Sequence, residues 1–147
     1  MKLADILSHL YHGSSEGQLK ILKPNRSKLA KKPVLFAATF PEIAVAMSGH
    51  WDDSDFEFGR TLSGDDDPLT VPYEMRELRK GAFKEFFEMT PVFIYTLKDR
   101  SFHQEDYLQD FERVSFNPVV PISVEEVRSP LRYLSRSRMV KTIPYQG

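Results

Sequence analysis

The chain has 147 residues, a length that predicts one domain with a core of its own. Hydrophobic residues make up 41% of it and charged residues 28%, which are ordinary globular values and exclude general disorder. The net charge of -1 excludes an attraction of the whole molecule to nucleic acid.

The absence of cysteine from the sequence excludes disulfides, thiolate zinc sites and a catalytic thiol, and it fits a reducing compartment. No stretch approaches the roughly 18 uninterrupted apolar residues of a membrane-spanning helix, and the first five residues lack the apolar core of a signal peptide. We therefore expect a cytoplasmic protein with no membrane attachment.

Two strands and a helix are predicted in the first third of the chain. A short strand over Leu10–Gly13 stops at the glycine, and the apolar run Val34–Ala38 predicts a second, buried strand. Thr39 and Glu42 have the spacing of a capping box, in which each side chain bonds an unpaired backbone N–H. This spacing predicts a helix from residue 41 to about residue 48.

The middle of the chain predicts a surface loop followed by an interrupted helix. Acidic residues, Ser, Gly and Pro dominate residues 50–72, and loops of that length are often functional lids. The aromatic residues of this segment could anchor the lid or belong to the core: Trp51, Phe56 and Phe58. Apolar residues recur at helical spacing from Glu74 to Met89, and Gly81 predicts a bend or break there.

Three further strands are predicted towards the end of the chain. Pro91–Leu97 is the strongest, because β-branched and aromatic residues fill it. Phe111–Phe116 alternates at period two, and Val119–Val124 predicts another strand with Pro121 at an edge or bulge. Strands at both ends with helices between them predict an α+β fold, with residues 1–147 as a single domain.

One four-residue segment, Tyr11-His12-Gly13-Ser14, carries the clearest functional signal. The glycine leaves the backbone open to a ligand, and the strand fixes the histidine. The strand Leu35-Phe36-Ala37-Ala38-Thr39 and an alanine-rich helix follow about twenty residues later. This combination, over about residues 10–49, resembles the diphtheria-toxin and poly(ADP-ribose)-polymerase branch of the ADP-ribosyltransferase-like superfamily.

The resemblance implies a fold, a substrate and a first set of binding residues. The fold is an ADP-ribosyltransferase-like split β-sheet or β-sandwich with peripheral helices, and the substrate is NAD. His12 would hydrogen-bond a ribose, and Gly13 would pair through its backbone with the nicotinamide carboxamide. Tyr11, Ser14 and Ala37 lie in the same two motifs and are predicted to bind NAD as well.

The resemblance also implies an aromatic ring that stacks on nicotinamide and holds the dinucleotide in a strained conformation. Phe36 is the first choice for this ring, and Tyr11 or another loop aromatic is the second. The family usually has a tyrosine on this second strand. Phe36 can stack in the same way, but it has no hydroxyl group to donate.

A catalytic glutamate on a late strand is the third feature that the resemblance implies. Its carboxylate would stabilise the oxocarbenium-like transition state as nicotinamide leaves. Three residues are candidates: Glu112 in the alternating strand, and Glu125 and Glu126 after the last predicted strand. We favour Glu112 because of its strand context.

The leading functional hypothesis is an NAD-dependent ADP-ribosyltransferase that acts on a macromolecular acceptor, either protein or nucleic acid. The small size fits a toxin or a phage-type effector, by analogy of fold alone. An RNA 2'-phosphotransferase of the same fold is one alternative, and its basic residues would hold an RNA phosphate. The other alternative is a non-enzymatic interaction protein that has the fold but lacks the acid.

Charge is unevenly distributed, although most charge runs are simply solvated surface. Residues 20–32 hold six basic residues and no acid, and residues 128–141 hold five basic residues and no acid. Arg128, Arg132 and Arg136 recur every four residues, a spacing that would form one basic stripe on a helix. We expect residues 128–147 to form a basic C-terminal tail that could lie peripheral to the domain.

No metal site is predicted. A calcium-binding loop that began at Asp53 would need glycine at its sixth position, and Phe58 occupies that position. His9, His50 and His103 lie in different predicted elements without the paired spacing of zinc ligands.

Overall fold

The computed structural model describes residues 8–26, 32–106 and 108–147. In these ranges the fold is α+β, as predicted, with more strands than helices. The strands are β1 His9–Ser14, β2 Leu35–Ala38, β3 Phe56–Gly59, β4 Tyr73–Glu77, β5 Val92–Lys98, β6 Glu112–Ser115, β7 Ser123–Val127 and β8 Val140–Ile143. The α-helices are α1 Pro41–Met47, α2 Ala82–Phe87 and α3 Pro130–Ser135.

The strands form two sheets. The larger has the order β6-β2-β1-β5-β7, with every pairing antiparallel, so β1 lies at its centre and β5 is interior. The smaller has the order β3-β4-β8, and β8 runs parallel to β4. One apolar cluster joins both sheets and the helices; it includes Ile94 of β5, Met75 of β4 and Phe87 of α2.

Helix α1 packs directly against β1. Ile43, Val45 and Ala46 are completely buried. Gly13 allows the close approach, since a Cβ atom there would lie 2.4 Å from the Ala44 carbonyl oxygen. Small residues on both sides therefore bring the helix onto the end of β1, where the YHGS motif lies.

The predicted capping box is wrong, although the predicted helix is confirmed. The residue before α1 is Phe40, and no side chain caps the helix. The Thr39 hydroxyl is buried without a hydrogen-bond partner in the described residues, while the Thr39 backbone N–H donates to the Phe111 carbonyl at 3.0 Å. Thr39 therefore belongs to the connection between β2 and the segment before β6.

Two predictions for the middle of the chain are wrong. Residues 50–72 are not one loop, because they contain β3, and Phe56 is 1% exposed among the aromatic residues of the core. The first half of the predicted helix over Glu74–Met89 is strand β4, which buries alternate residues. Gly81, with φ of 89°, then makes the left-handed turn into α2.

The C-terminal segment is built into the core rather than peripheral to it. Residues 128–147 form α3 and β8, and β8 pairs with four residues of β4. Leu134 and Val140 are 0% and 1% exposed. The N-terminal basic run, by contrast, is only partly described, because residues 27–31 lie outside the described ranges.

No helix in the three described ranges has the length and apolar character needed to cross a lipid bilayer.

Candidate functional site

A cleft opens in the larger sheet where β1 and β2 separate. In the described residues, β1 pairs with β2 only at Tyr11 and Ala38, whereas it pairs with β5 along all six of its residues. His12, Gly13 and Ser14 therefore have no strand partner on the β2 side. In a strand the N–H and C=O groups point sideways, so this edge offers unpaired backbone groups.

The cleft has a volume of about 800 Å³. Its lining residues come from β1, β2, β6, α1 and the segments after α1 and before β6: Tyr11, His12, Gly13, Phe36, Ala37, Ala38, Ala44, Met47, Gly49, His50, Trp51, Asp52, Phe111 and Glu112. A cavity of this size, apolar with a few polar groups, is typical of a small-molecule site.

Strand register explains why Glu112 reaches the cleft. Ala38 lies directly opposite Tyr11 on one side and opposite Glu112 on the other. Residues opposite one another in neighbouring strands point to the same face of a sheet, so these three side chains form one row. Phe36 lies two residues before Ala38 and faces the same side, where its half-buried ring lines the cleft.

The side chain of His12 spans the gap between the separated strands. Its Nδ1–H donates to the Phe36 carbonyl oxygen at 2.7 Å. Burial lowers the pKa of His12, and this hydrogen bond only partly opposes the effect. The imidazole is therefore neutral at physiological pH, and Nε2 keeps a lone pair that can accept a hydrogen bond.

Glu112, the first residue of β6, is half-buried in the lining of the cleft. Burial raises the pKa of Glu112, while the hydrogen bond that it accepts from the Gln109 N–H at 3.1 Å opposes this rise. A carboxylate in such an environment interacts strongly with a positive charge nearby, because little water screens it.

The other predicted site residues lie outside the cleft. Ser14 is beyond its rim, and its hydroxyl accepts a hydrogen bond from the Glu16 N–H at 3.1 Å. Glu125 and Glu126 lie on β7, two strands from β1 in the direction away from β6, and both are exposed. The structure therefore brings Glu112, and neither of these two glutamates, to the side of the sheet where β1 and β2 separate.

Sequence reasoning did not assign the wall that follows α1. Met47, His50 and Asp52 line the cleft together with Trp51, an aromatic residue of the predicted surface loop. The Trp51 indole N–H donates to the Ala46 carbonyl at 2.7 Å, and its ring packs edge-on against Phe56. The end of α1 thereby holds a rigid aromatic wall beside the open strand edge.

An ion pair holds the segment that carries Glu112. Arg60 pairs with Asp110 at 3.0 Å, and the Arg60 side chain is only 3% exposed. Its guanidinium also lies 4.1 Å from the ring centre of Tyr73 and donates to the carbonyls of Pro68 and Val71. This cluster fixes Asp110, two residues before Glu112, to the smaller sheet.

Replacing Asp110 with Asn is expected to destabilise the fold, because the buried Arg60 guanidinium would lose its counter-charge. Breaking a fully buried pair costs about 3–5 kcal/mol. We expect about 2 kcal/mol, since the Asp110 side chain is 47% exposed. Urea unfolding measures the effect, and Asp65→Asn in the exposed loop is the matched control. Equal stability of the two variants would contradict a structural role for the pair.

Comparisons with known proteins give no match to the chain among protein-family models, curated proteins or solved structures. The interpretation of the cleft therefore depends on its own chemistry. It combines an open backbone edge, a half-buried aromatic ring, a neutral imidazole and a carboxylate. These groups can bind a planar amide and stabilise a developing positive charge.

Proposed function

We propose that the protein is an NAD-dependent ADP-ribosyltransferase that acts on a macromolecular acceptor. One observation carries the proposal: His12, Gly13, Phe36 and Glu112 line the same cleft although they come from three strands. They are the residues that the resemblance assigns to ribose binding, amide binding, ring stacking and catalysis. The proposed ligand is NAD as substrate.

The open edge of β1 supports binding of the nicotinamide end. A carboxamide carries one carbonyl and one N–H₂ group, so it can pair with a strand backbone much as a peptide does. Gly13 lies in the cleft lining, where its lack of a side chain lets α1 approach β1, and the half-buried Phe36 lines the same cleft. Stacking on the Phe36 ring would hold the amide against the strand.

His12 is suited to bind a ribose hydroxyl rather than to transfer a proton. Its Nδ1–H is already donated to the Phe36 carbonyl, and its lowered pKa keeps Nε2 as an acceptor. A ribose hydroxyl would donate to Nε2. This hydrogen bond would orient the sugar between β1 and β2 before the reaction.

The proposed reaction breaks the bond between C1' of the ribose and the nicotinamide nitrogen. The bonding electron pair leaves with nicotinamide, and positive charge develops on C1' and the ring oxygen. The Glu112 carboxylate would stabilise that charge from the row that it shares with Tyr11 and Ala38. A nucleophile of the acceptor then bonds to C1' and releases its proton to solvent.

Incubation with NAD labelled on the ADP-ribose, with and without cell lysate, tests the proposal. We expect the wild-type protein to release nicotinamide and to transfer label to a macromolecule. We expect His12→Ala to lose at least about tenfold in NAD affinity or turnover, because the ribose loses its acceptor.

His9→Ala is the matched control, because His9 is exposed on the same strand and lies outside the cleft. It is expected to behave like the wild type. Failure of the wild-type protein both to bind NAD in calorimetry and to release nicotinamide would refute the proposal. Binding without release would instead favour the non-enzymatic alternative.

A further inference from the structure

A second cavity lies between α1 and α3. Its volume is about 490 Å³, and we call it the basic pocket. Three arginines line it: Arg132, Arg136 and Arg138. The first two lie about one helical turn apart on α3 and at its end, so their side chains share a flank of the helix.

These three guanidinium groups are available to a ligand. Each residue is exposed, and none forms an ion pair with a carboxylate in residues 8–26, 32–106 and 108–147. Arg128 differs from them: it precedes α3, which begins at Pro130, and it lies 3.6 Å from Glu126. The basic stripe predicted from the sequence is therefore only partly present. Arg132 and Arg136 line the pocket together with Arg138, and Arg128 does not.

Neutral donors and one acid complete the lining. Ser129 and Tyr133 contribute hydroxyl groups, and burial raises the pKa of Tyr133 to about 12, so its hydroxyl stays protonated. Ser137 donates to the Glu42 carboxylate at 3.2 Å. Glu125 also lies close enough to Tyr133 to interact with it electrostatically. The pocket thus offers cations, hydroxyl donors and one carboxylate acceptor, Glu42, together.

The basic pocket and the cleft share α1 as a wall. Glu42, at the start of this helix, lines the basic pocket, whereas Ala44 and Met47 line the cleft. Tyr133 of the basic pocket lies near enough to Tyr11 of the cleft for an electrostatic interaction between their side chains. A ligand bound in the basic pocket would therefore lie beside the cleft.

We propose that the basic pocket binds a phosphate group of a single-stranded nucleic acid and so selects nucleic acid as the acceptor. This inference names the acceptor class and rests on the proposed function. Arginine forks match phosphate oxygens in pairs, and three arginines around one cavity can hold a phosphodiester. The partly buried Tyr133 ring offers a surface on which a base can stack.

The mixed charge of the lining favours a nucleotide over an acidic protein segment. A nucleotide presents an anionic phosphate together with ribose hydroxyl and base amino donors, and the Glu42 carboxylate can accept from such donors. An Asp or Glu side chain presents only acceptors, so it can pair with the arginines but offers Glu42 no donor. A nucleotide therefore carries partners for the free arginines and for the acid on one ligand.

Fluorescence anisotropy with a labelled 12-nucleotide RNA of mixed sequence tests the inference. We expect salt-sensitive binding that the double variant Arg132→Ala/Arg136→Ala weakens by about tenfold or more. The slope of log affinity against log salt is expected to fall by about 0.7, because the two arginines contact one phosphate. Inorganic phosphate should compete, and Lys80→Ala/Arg100→Ala, which removes two exposed cations elsewhere, should bind normally.

Three outcomes would overturn the inference. One is RNA binding that the arginine double variant leaves unchanged. Another is a parallel loss of NAD affinity in that variant, measured by calorimetry, because the pocket would then hold the NAD diphosphate. The third is stronger competition by polyglutamate than by an unlabelled oligonucleotide of equal charge. RNA binding that persists in a protein unable to bind NAD would refute the proposed function while leaving the phosphate site intact.

Discussion

Replacing Glu112 with Gln is expected to slow nicotinamide release from NAD by about 100- to 1000-fold, because the transition state would lose its counter-charge. NAD affinity should change much less, since the ground state carries less charge at C1'. Single-turnover measurement of nicotinamide release, with calorimetry for NAD binding, separates the two effects. Gln has nearly the same size and shape as Glu, so the fold should be retained. The stability of the same variant separates a catalytic loss from unfolding.

The same variant is expected to be more stable than the wild type at neutral pH. Burial raises the pKa of Glu112 above 4.5, so the folded state prefers the protonated form. The contribution of Glu112 to stability is therefore greatest below that ordinary pKa and decreases as the pH rises through the raised value. The uncharged amide of the Glu112→Gln variant would carry no such cost, so the difference in free energy of unfolding should be larger at pH 7 than at pH 4.

Glu125→Gln and Glu126→Gln are the matched controls for both measurements. Each removes a carboxylate from exposed strand β7, outside the cleft. Turnover in both variants should match the wild type. Full activity in Glu112→Gln, or a large loss in Glu125→Gln or Glu126→Gln, would show that Glu112 is not the catalytic glutamate.

Replacing Gly13 with Ala is expected to destabilise the fold by about 1–3 kcal/mol, the usual cost of overpacking a well-packed site. The new Cβ would lie 2.4 Å from the Ala44 carbonyl oxygen and 3.0 Å from the Ser48 Cβ. Backbone atoms of a helix cannot rotate away as a side chain can, so α1 would have to shift off β1. Chemical denaturation measures the loss.

This substitution should also impair the cleft. Ala44 and Met47 of α1 line it, and a shift of about 1 Å in a wall can cost on the order of 100-fold in rate. Gly64→Ala is the control, because a Cβ atom there meets nothing within 4 Å. That variant should stay within about 0.5 kcal/mol of the wild type. A Gly13→Ala protein as stable as the control would rule out tight packing of α1 on β1.

The strands of the larger sheet were largely predictable, whereas β4 was not. β2 and β5 are short runs of apolar, β-branched or aromatic residues, so local pattern and final burial agree. The segment before Gly81 is compatible with both a helix and a strand. Met75 and Leu78 are three residues apart, as on one face of a helix, whereas Tyr73, Met75 and Glu77 alternate as on one face of a strand. Parallel pairing with β8, which is distant along the chain, decides between them.

The candidate site was predictable only in part for a similar reason. The segments over Tyr11–Ser14 and Phe36–Ala37 were predicted from short motifs of neighbouring residues. All of these residues except Ser14 line the cleft. Glu112, Glu125 and Glu126 were hard to rank, since each lies in or next to a strand and only the strand order distinguishes them. Trp51 follows α1 and is bonded to its Ala46 carbonyl, so its position depends on how α1 packs against Gly13. That packing joins two distant parts of the chain, and the residues around Trp51 do not predict it.

The separation of β1 from β2 gives the larger sheet an internal edge. Exposed sheet edges are sites where other chains add a strand and aggregate. Here α1 covers one face, His12 spans the gap, and Trp51 lines the cleft beside it. The unpaired edge of β1 therefore lies inside the sheet, beside α1, His12 and Trp51, rather than at the rim of the sheet.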